Sequence, residues 1–394
     1  MAGPALLSAG FRPFFMLSAL WAFLAIPLWL AAYGGATPLP TALLPSVWHV
    51  HEMVFGFATA TVTGFLLTAI PNWTGRMPLQ GWPLAMLVLL WLVGRAAVLL
   101  SAEIGANAAA ALDLAFPTVF LGVIAREIIA GRNWRNLPML AALAFLLAGN
   151  ALVHAGSIGA TNTAALGNRL GIATLLMLVS LVGGRIIPSF TRNWLAKQRR
   201  DVRPPVAFAM FDRVVLGLTA VALAGWVVVP DAAVTPWLCL MAGVSQGMRL
   251  SRWRGLATLR EPLVWILHLG YAWLGLGFCL LGIDALVPYV PQTTALHAVT
   301  VGAIGTMTLA VMTRATLGHT GRLLSAGVGT TTIYALVTLA ALCRLLAPLV
   351  GTHYIFMLSL AGTAWSGAFG LFALLYLRPL TLQRLDPGSN ARLI

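Results

Sequence analysis

Charge is what this sequence has least of. Of its 394 residues only 9% are Asp, Glu, Lys or Arg, and just 10 are acidic. Soluble globular domains carry roughly 25% charged residues. A chain this poor in charge cannot cover itself for water, so lipid must be its solvent. Cysteine is also scarce. Cys239, Cys279 and Cys343 lie in separate apolar runs and form neither CxxC nor CxxCH, which excludes a zinc ribbon and covalently attached c-type haem. No soluble domain, low-complexity tract or clear internal repeat stands out. The first apolar run has no lysine-rich flank and many more follow it, so no cleavable signal peptide is expected.

What fills the chain is apolar: 60% of residues, with a mean hydropathy of +0.90. The runs are about 20 residues long, the length a helix needs to cross ~30 Å of hydrocarbon. They lack the alternation of a membrane barrel strand. Spanning backbone must satisfy its own hydrogen bonds, which leaves helices. The expected fold is an all-α integral membrane protein, one polytopic domain over 1–394 with about twelve transmembrane helices in one bundle. The spans are 14–33, 47–70, 83–101, 108–130, 137–156, 167–188, 208–230, 236–251, 262–284, 293–313, 324–348 and 353–377. The eighth is the shortest. Prolines punctuate the expected joints at Pro71, Pro83, Pro138, Pro188, Pro204, Pro205, Pro236, Pro262, Pro348 and Pro379.

A net charge of +14 would suggest nucleic acid in a soluble protein. Here the basic residues sit between apolar runs and read as topology, with cations held on the cytoplasmic side. Twelve spans with both termini cytoplasmic place 21 of the 24 basic residues at that side, Arg12, Arg199, Arg200, Arg249 and Arg392 among them. No nucleic-acid partner is expected. Arg95, Arg169 and Arg344 are the exceptions, each in the outward half of a span. An arginine there snorkels to the headgroups or pairs with an anion such as a haem propionate.

Six of the seven histidines lie in or beside spans: His49, His51, His154, His268, His297 and His319; His353 begins the last one. A lone membrane histidine often serves only helix–helix hydrogen bonding. Four of these, however, share the outer membrane level: His49, His51, His154 and His297. Imidazole is the commonest ligand for haem iron, copper and zinc. His49 and His51 are about 200° apart on a helix, so their rings face opposite ways. Glu52, three residues from His49, shares a face with it and can orient a ligand or carry protons. Gly302 and Gly305 after His297 can admit a flat macrocycle or serve helix packing. His268, with Tyr271 one turn on, and His319 lie in the cytoplasmic half, as a second site, a proton path or structural groups.

Several strings resemble the NnrS family of bacterial membrane proteins: GFRPFF at 10–15, WHVHEMVFGF at 48–57, GFLLTAIPNWTG at 64–75, GRIIPSFT at 184–191, WILHLGYAW at 265–273, and HAVTVGAIGTMTLAVMTRATLGHTGR at 297–322. The resemblance implies a multi-pass protein of the bacterial inner membrane, containing haem b and copper, linked to denitrification and nitric oxide stress. His49, His51, His268, His297 and His319 fall in these strings and, with His154, become its ligand candidates, with Arg95, Arg169 and Arg344 as propionate partners. Haem–copper oxidases and nitric oxide reductases also use twelve helices and six histidine ligands, although the spacing here differs. Reduction of NO to N2O would use Glu52 as a proton carrier. Quinol or a separate redox protein would serve as electron donor. The alternatives are a transporter or metal-handling protein, and a haem NO sensor without turnover.

Overall fold

The computed structural model describes residues 4–198, 203–287, 289 and 291–385; Arg199, Arg200 and Arg392 of the charge sorting lie outside them. Among the described residues every regular element is helical. The long helices are α1 (Phe11–Tyr33), α2 (Pro45–Thr74), α3 (Trp82–Leu99), α4 (Ala106–Ala130), α5 (Leu137–Ser157), α6 (Ala164–Lys197), α7 (Met210–Val228), α8 (Thr235–Ser251), α9 (Pro262–Asp284), α10 (Gln292–His319), α11 (Val328–Leu346) and α12 (Tyr354–Thr381). Eleven are long and apolar enough to cross a membrane. The other, α8, has 17 residues, a rise of roughly 25 Å; it is the short segment expected at 236–251.

Several helices outrun the apolar runs that announce them. α2 continues to Thr74 and α10 to His319, each past the expected end. α2 stops one residue and α10 two residues before a glycine in the left-handed region, Gly75 at φ +71 and Gly321 at φ +74, where a Cβ is disfavoured. Hydropathy marks the lipid-compatible length, whereas the backbone stays helical until its geometry is broken. The prolines divide likewise. Pro83, Pro138, Pro236 and Pro262 occupy first turns, where a missing N–H costs little. Pro71, Pro188 and Pro379, expected at joints, lie inside α2, α6 and α12. Neighbouring groups in a packed membrane helix can satisfy the carbonyls that such prolines free.

Two helices change winding midway. α2 is α-helical to His51, π-helical over Glu52–Ala58, and α-helical again from Thr59. α10 is α-helical to His297, π-helical over Ala298–Gly305, and α-helical from Thr306. Such bulges recur at functional sites.

The chain divides into two compact units. Unit 1 takes the residues to Thr174 with Ala315–Arg322 and those from Phe369; unit 2 takes Leu175–Arg314 and Leu323–Ala368. In unit 1, Phe14 packs on Phe116 at 5.8 Å between ring centroids, and Phe57 meets Phe369 edge-on at 5.0 Å. Arg12, expected at a cytoplasmic helix end, is buried. It donates to the carbonyls of Leu380 at 2.9 Å and Leu382 at 2.7 Å, closing the C-terminus of α12.

In unit 2, α8 and α9 approach through small residues. A Cβ on Gly243 would lie 2.8 Å from the Gly275 carbonyl oxygen, the close contact that membrane helices use where lipid supplies no hydrophobic drive. Arg249, also sorted to the cytoplasmic side by charge, is fully buried. It pairs with Asp212 at 2.9 Å and donates to Tyr271 Oη at 2.9 Å and to the Ser180 carbonyl at 3.0 Å. Tyr271 donates to Gln246 Oε1 at 2.5 Å, and Gln246 Nε2 donates to Ser180 and Thr219.

Candidate metal centre

Four helices of unit 1 deliver polar side chains to one buried point. α2 supplies His51 and Glu52, α3 supplies Arg95, α4 supplies Asp113, and α5 supplies Asn150 and His154 one turn apart. All six are buried. Small residues make the room. A Cβ on Gly94 would lie 3.0 Å from Asp113 Oδ1; one on Gly56 would lie 2.8 Å from Arg95 Nη1 and 2.9 Å from Glu52 Oε2. Gly56 belongs to the π segment of α2, whose carbonyls find outside donors. Trp91 Nε1 donates to Gly56 at 3.2 Å and Ser18 Oγ to Phe57 at 3.0 Å.

The geometry is a closed circuit. Arg95 Nη1 donates to both oxygens of Glu52 at 2.7 Å each, and Arg95 Nη2 donates to Asp113 Oδ1. His51 Nδ1 faces Glu52 Oε1 at 2.9 Å; its Nε2 faces Asn150 Oδ1 at 2.8 Å and Asp113 Oδ2 at 3.2 Å. Asn150 Nδ2 donates to Asp113 Oδ2 at 2.8 Å, and His154 Nε2 meets the same oxygen at 2.9 Å. Two carboxylates meet one guanidinium here. Buried charge has to be balanced locally, so when both carboxylates are ionised, one further positive charge belongs at the imidazoles. A proton or a metal ion supplies it.

His51, Asp113 and His154 each offer a ligand atom, all within 4.8 Å of one another. Two nitrogens and an oxygen at these separations suit copper or zinc, whose neighbouring donors in four-coordinate sites lie roughly 3.3 Å apart. The observed 3.2 and 2.9 Å are close to that, and an ion would replace the ring protons that now point at Asp113. Glu52, on Nδ1, would then hold the coordinated ring of His51 from behind, as supporting partners of ligand histidines do, and Asn150 would steady Asp113. A cavity of about 10 Å³, lined by Ser101, His154 and Ser157 among others, adjoins the cluster and is about one water in size.

His51, His154, Glu52 and Arg95 thus come together as sequence candidates, while the others have separate surroundings. His49 stacks on Trp29 at 4.2 Å, on the face away from His51 as its spacing required. Glu52 was expected to share a face with His49. It bonds its neighbour His51 instead, with both of its oxygens held by Arg95. His268 Nε2 bonds Thr191 at 2.9 Å, its Nδ1 faces the backbone at Gly255, and Tyr271 turns to Arg249. His319 lies against Phe11 at 5.5 Å. His297 Nδ1 donates to the Thr293 carbonyl at 2.7 Å. Arg169 is half-buried on α6 and Arg344 is buried on α11. Arg95 answers protein carboxylates, not an open outer leaflet. Gly302 and Gly305 are covered by the rings of Trp273 and Trp365, so these glycines serve ring packing.

Asp113 and Asn150 were not among the sequence candidates. The signal for Asp113 was available: a carboxylate alone in the run ANAAAALDLAF is costly in lipid and marks a paired or functional group. Asn150 carried no comparable signal.

Compared with known proteins, residues 5–384 match the family model described as NnrS protein. No curated protein matches the chain.

Proposed function

Because this chain belongs to the NnrS family, we propose that it is a haem- and copper-binding membrane protein that handles nitric oxide and relieves nitrosative stress in denitrifying bacteria. In this reading it is a nitric oxide reductase-like oxidoreductase of the bacterial inner membrane. It has twelve spans, counting α8, with both termini cytoplasmic and the metal centre towards the outer face. The observation that carries the proposal is the buried His51, Asp113 and His154 set within a family-matched chain.

His51, Asp113 and His154 would hold copper, and an imidazole outside the cluster would hold haem b. Together these groups supply NO binding and electron storage for the net change of two NO, two electrons and two protons into N2O and water. Quinol or a separate redox protein donates the electrons. The protein's own part is to hold and pass protons. Arg95 keeps Glu52 within 2.9 Å of the His51 ring, so a proton moves between Glu52 Oε1 and His51 Nδ1 along one hydrogen bond. Apolar helix faces exclude bulk water, while NO, small and apolar, arrives through lipid.

The test is haem and copper quantitation on purified protein made with adequate haem and copper, followed by anaerobic NO addition under reducing conditions and N2O detection. Haem, copper and N2O together are expected. Haem with NO binding but no N2O would make the protein a sensor or buffer. Absence of both groups would favour transport or metal handling and overturn the proposal.

A further inference from the structure

The two π segments align parts of the sequence that otherwise look unrelated. On α2, His51 is the last α-helical residue before the π turn, and on α10 it is His297. With these two histidines superposed, Gly56 falls on Gly302, Thr74–Gly75–Arg76 on Thr320–Gly321–Arg322, and Gly81 on Gly327, without a gap. Gly75 and Gly321 share the left-handed conformation, and the next helix starts one residue after Gly81 and after Gly327. Gly56 lies against Trp21 of the preceding α1, and Gly302 against Trp273 of the preceding α9. α1–α3 and α9–α11 thus follow one pattern, and their two Gly–Arg turns can be compared residue for residue.

The turns differ in what covers them. At the second, the chain covers itself: Leu385 N donates to the Thr320 carbonyl at 3.1 Å, and the Leu385 backbone lies against Gly321. At the first, apart from its chain neighbours, nothing lies within 4 Å of where a Cβ on Gly75 would stand. That turn borders a cavity of about 540 Å³, lined by the end of α2, the connection over 75–79 and the end of α4. Ligand pockets span ~300–1,000 Å³. The walls are already fixed. Gly81 N donates to the Leu7 carbonyl at 2.8 Å, and Asn133 Nδ2 to the Trp73 carbonyl at 2.5 Å.

The cavity has two chemistries. Leu67, Ile70 and Ile124 give it a buried apolar floor. Arg76, Arg126 and Glu127 line its more exposed side. Arg76 Nε donates to Glu127 Oε2 at 2.5 Å, and Arg126 Nε stands 3.9 Å from the other oxygen. Two guanidinium groups, with five N–H donors each, therefore share one carboxylate, and positive charge is in surplus. The next connection adds Arg132 and Arg135, both exposed, while Glu127 is the one acidic residue within 64–84 and 120–140. Trp82 and Trp134, exposed at this same end of the helices, are the residues that favour a membrane–water interface.

We propose that this cavity binds one anionic phospholipid of the surrounding membrane, its phosphate on Arg76 and Arg126 and an acyl chain against Leu67, Ile70 and Ile124. Basic pockets between helices at a membrane surface hold such headgroups, and guanidinium matches phosphate with paired hydrogen bonds. An inorganic anion would leave the apolar floor bare. A zwitterionic lipid would bring its own cation to a side that already has a surplus.

The test uses the full chain, purified in mild detergent, stripped of lipid and titrated with phosphatidylglycerol or phosphatidylcholine of the same acyl chains. Native mass spectrometry counts retained lipid, and the thermal midpoint is followed in parallel. Wild type is expected to retain one phosphatidylglycerol several-fold more strongly than phosphatidylcholine, and to gain midpoint with it. Arg126→Gln leaves the Arg76–Glu127 pair intact and should weaken retention about fivefold, the weight of one basic side chain at an anionic surface. Arg76→Gln added to it should bring phosphatidylglycerol down to the level of phosphatidylcholine. Val123→Trp narrows the cavity at unchanged charge and should lower retention of both lipids. Arg260→Gln, an exposed arginine before α9, should match wild type. Equal retention of the two lipids by wild type overturns the proposal, and so does an undiminished phosphatidylglycerol preference in the folded arginine variants. Inorganic phosphate that raises the wild-type midpoint as far as phosphatidylglycerol also overturns it, by making this a plain anion site. Haem and copper play no part in these readouts, so the proposed function can fail while this proposal stands.

Discussion

Each unit buries an arginine beside a carboxylate, and the two networks differ in what is left over. In unit 1, Arg95 sits between Glu52 and Asp113, so negative charge is in excess until a proton or metal joins His51 and His154. In unit 2, Asp212 faces both Arg249 and Arg252, and the remaining partners of Arg249 are the neutral groups of Ser180 and Tyr271. A network short of positive charge invites a cation. A network with surplus positive charge, answered by neutral dipoles, offers nothing to a cation and holds helices together. The difference lies in charge balance; burial is common to both.

Asp113→Asn should have the largest effect. It removes the carboxylate charge that Arg95 and both imidazoles share, and breaking such a buried pair costs about 3–5 kcal/mol. A large fall in thermal midpoint in detergent is expected, with loss of copper; copper retained at wild-type stoichiometry would remove Asp113 from the ligand set. Arg249→Met should destabilise by about 2–3 kcal/mol, below that range because Arg252 still answers Asp212. Haem and copper per chain should not change, and metal loss from a well-folded Arg249→Met protein would break the contrast between the networks. Gly56→Ala should cost about 1–3 kcal/mol by overpacking and should also lower copper occupancy, because the new methyl displaces Arg95 and Glu52. Gly302→Ala, which meets only the Trp273 ring, should cost stability while sparing copper; equal copper loss in both would sever Gly56 from the centre. The smallest effect is expected for His49→Ala. Loss of the stack on Trp29 is worth about 0.5–1.5 kcal/mol, with copper content unchanged, and copper loss there would add His49 to the ligands of the centre.

Much of the helical architecture was legible because lipid makes a simple demand: about 20 apolar residues per crossing. The segments at 14–33, 108–130 and 262–284 fall within or upon α1, α4 and α9. Four of the six side chains of the candidate centre were legible for a related reason. His51, His154, Glu52 and Arg95 are polar groups in apolar runs, and each must have a partner. Charge sorting was less informative than it looked for Arg12 and Arg249. A cation near the end of an apolar run has the same sequence signature whether it faces water, caps a helix or closes a buried network. The repeat was illegible because the copies keep few identical residues, and their register emerges only where both helices change to π winding.

The sequence by itself determined that this chain is a bundle of membrane helices, and that His49 and His51 face opposite ways. Both follow from local quantities, the apolar length of a segment and the angle between neighbours on a helix. Only the tertiary structure decided that Asp113 joins the histidines, that Arg95 answers protein carboxylates, and that Glu52 serves His51 instead of His49. Those outcomes depend on which helices approach, where Gly56 and Gly94 allow them to, and how Arg95 holds Glu52. Pairwise distances between remote segments set them, and no local pattern in a chain encodes such distances.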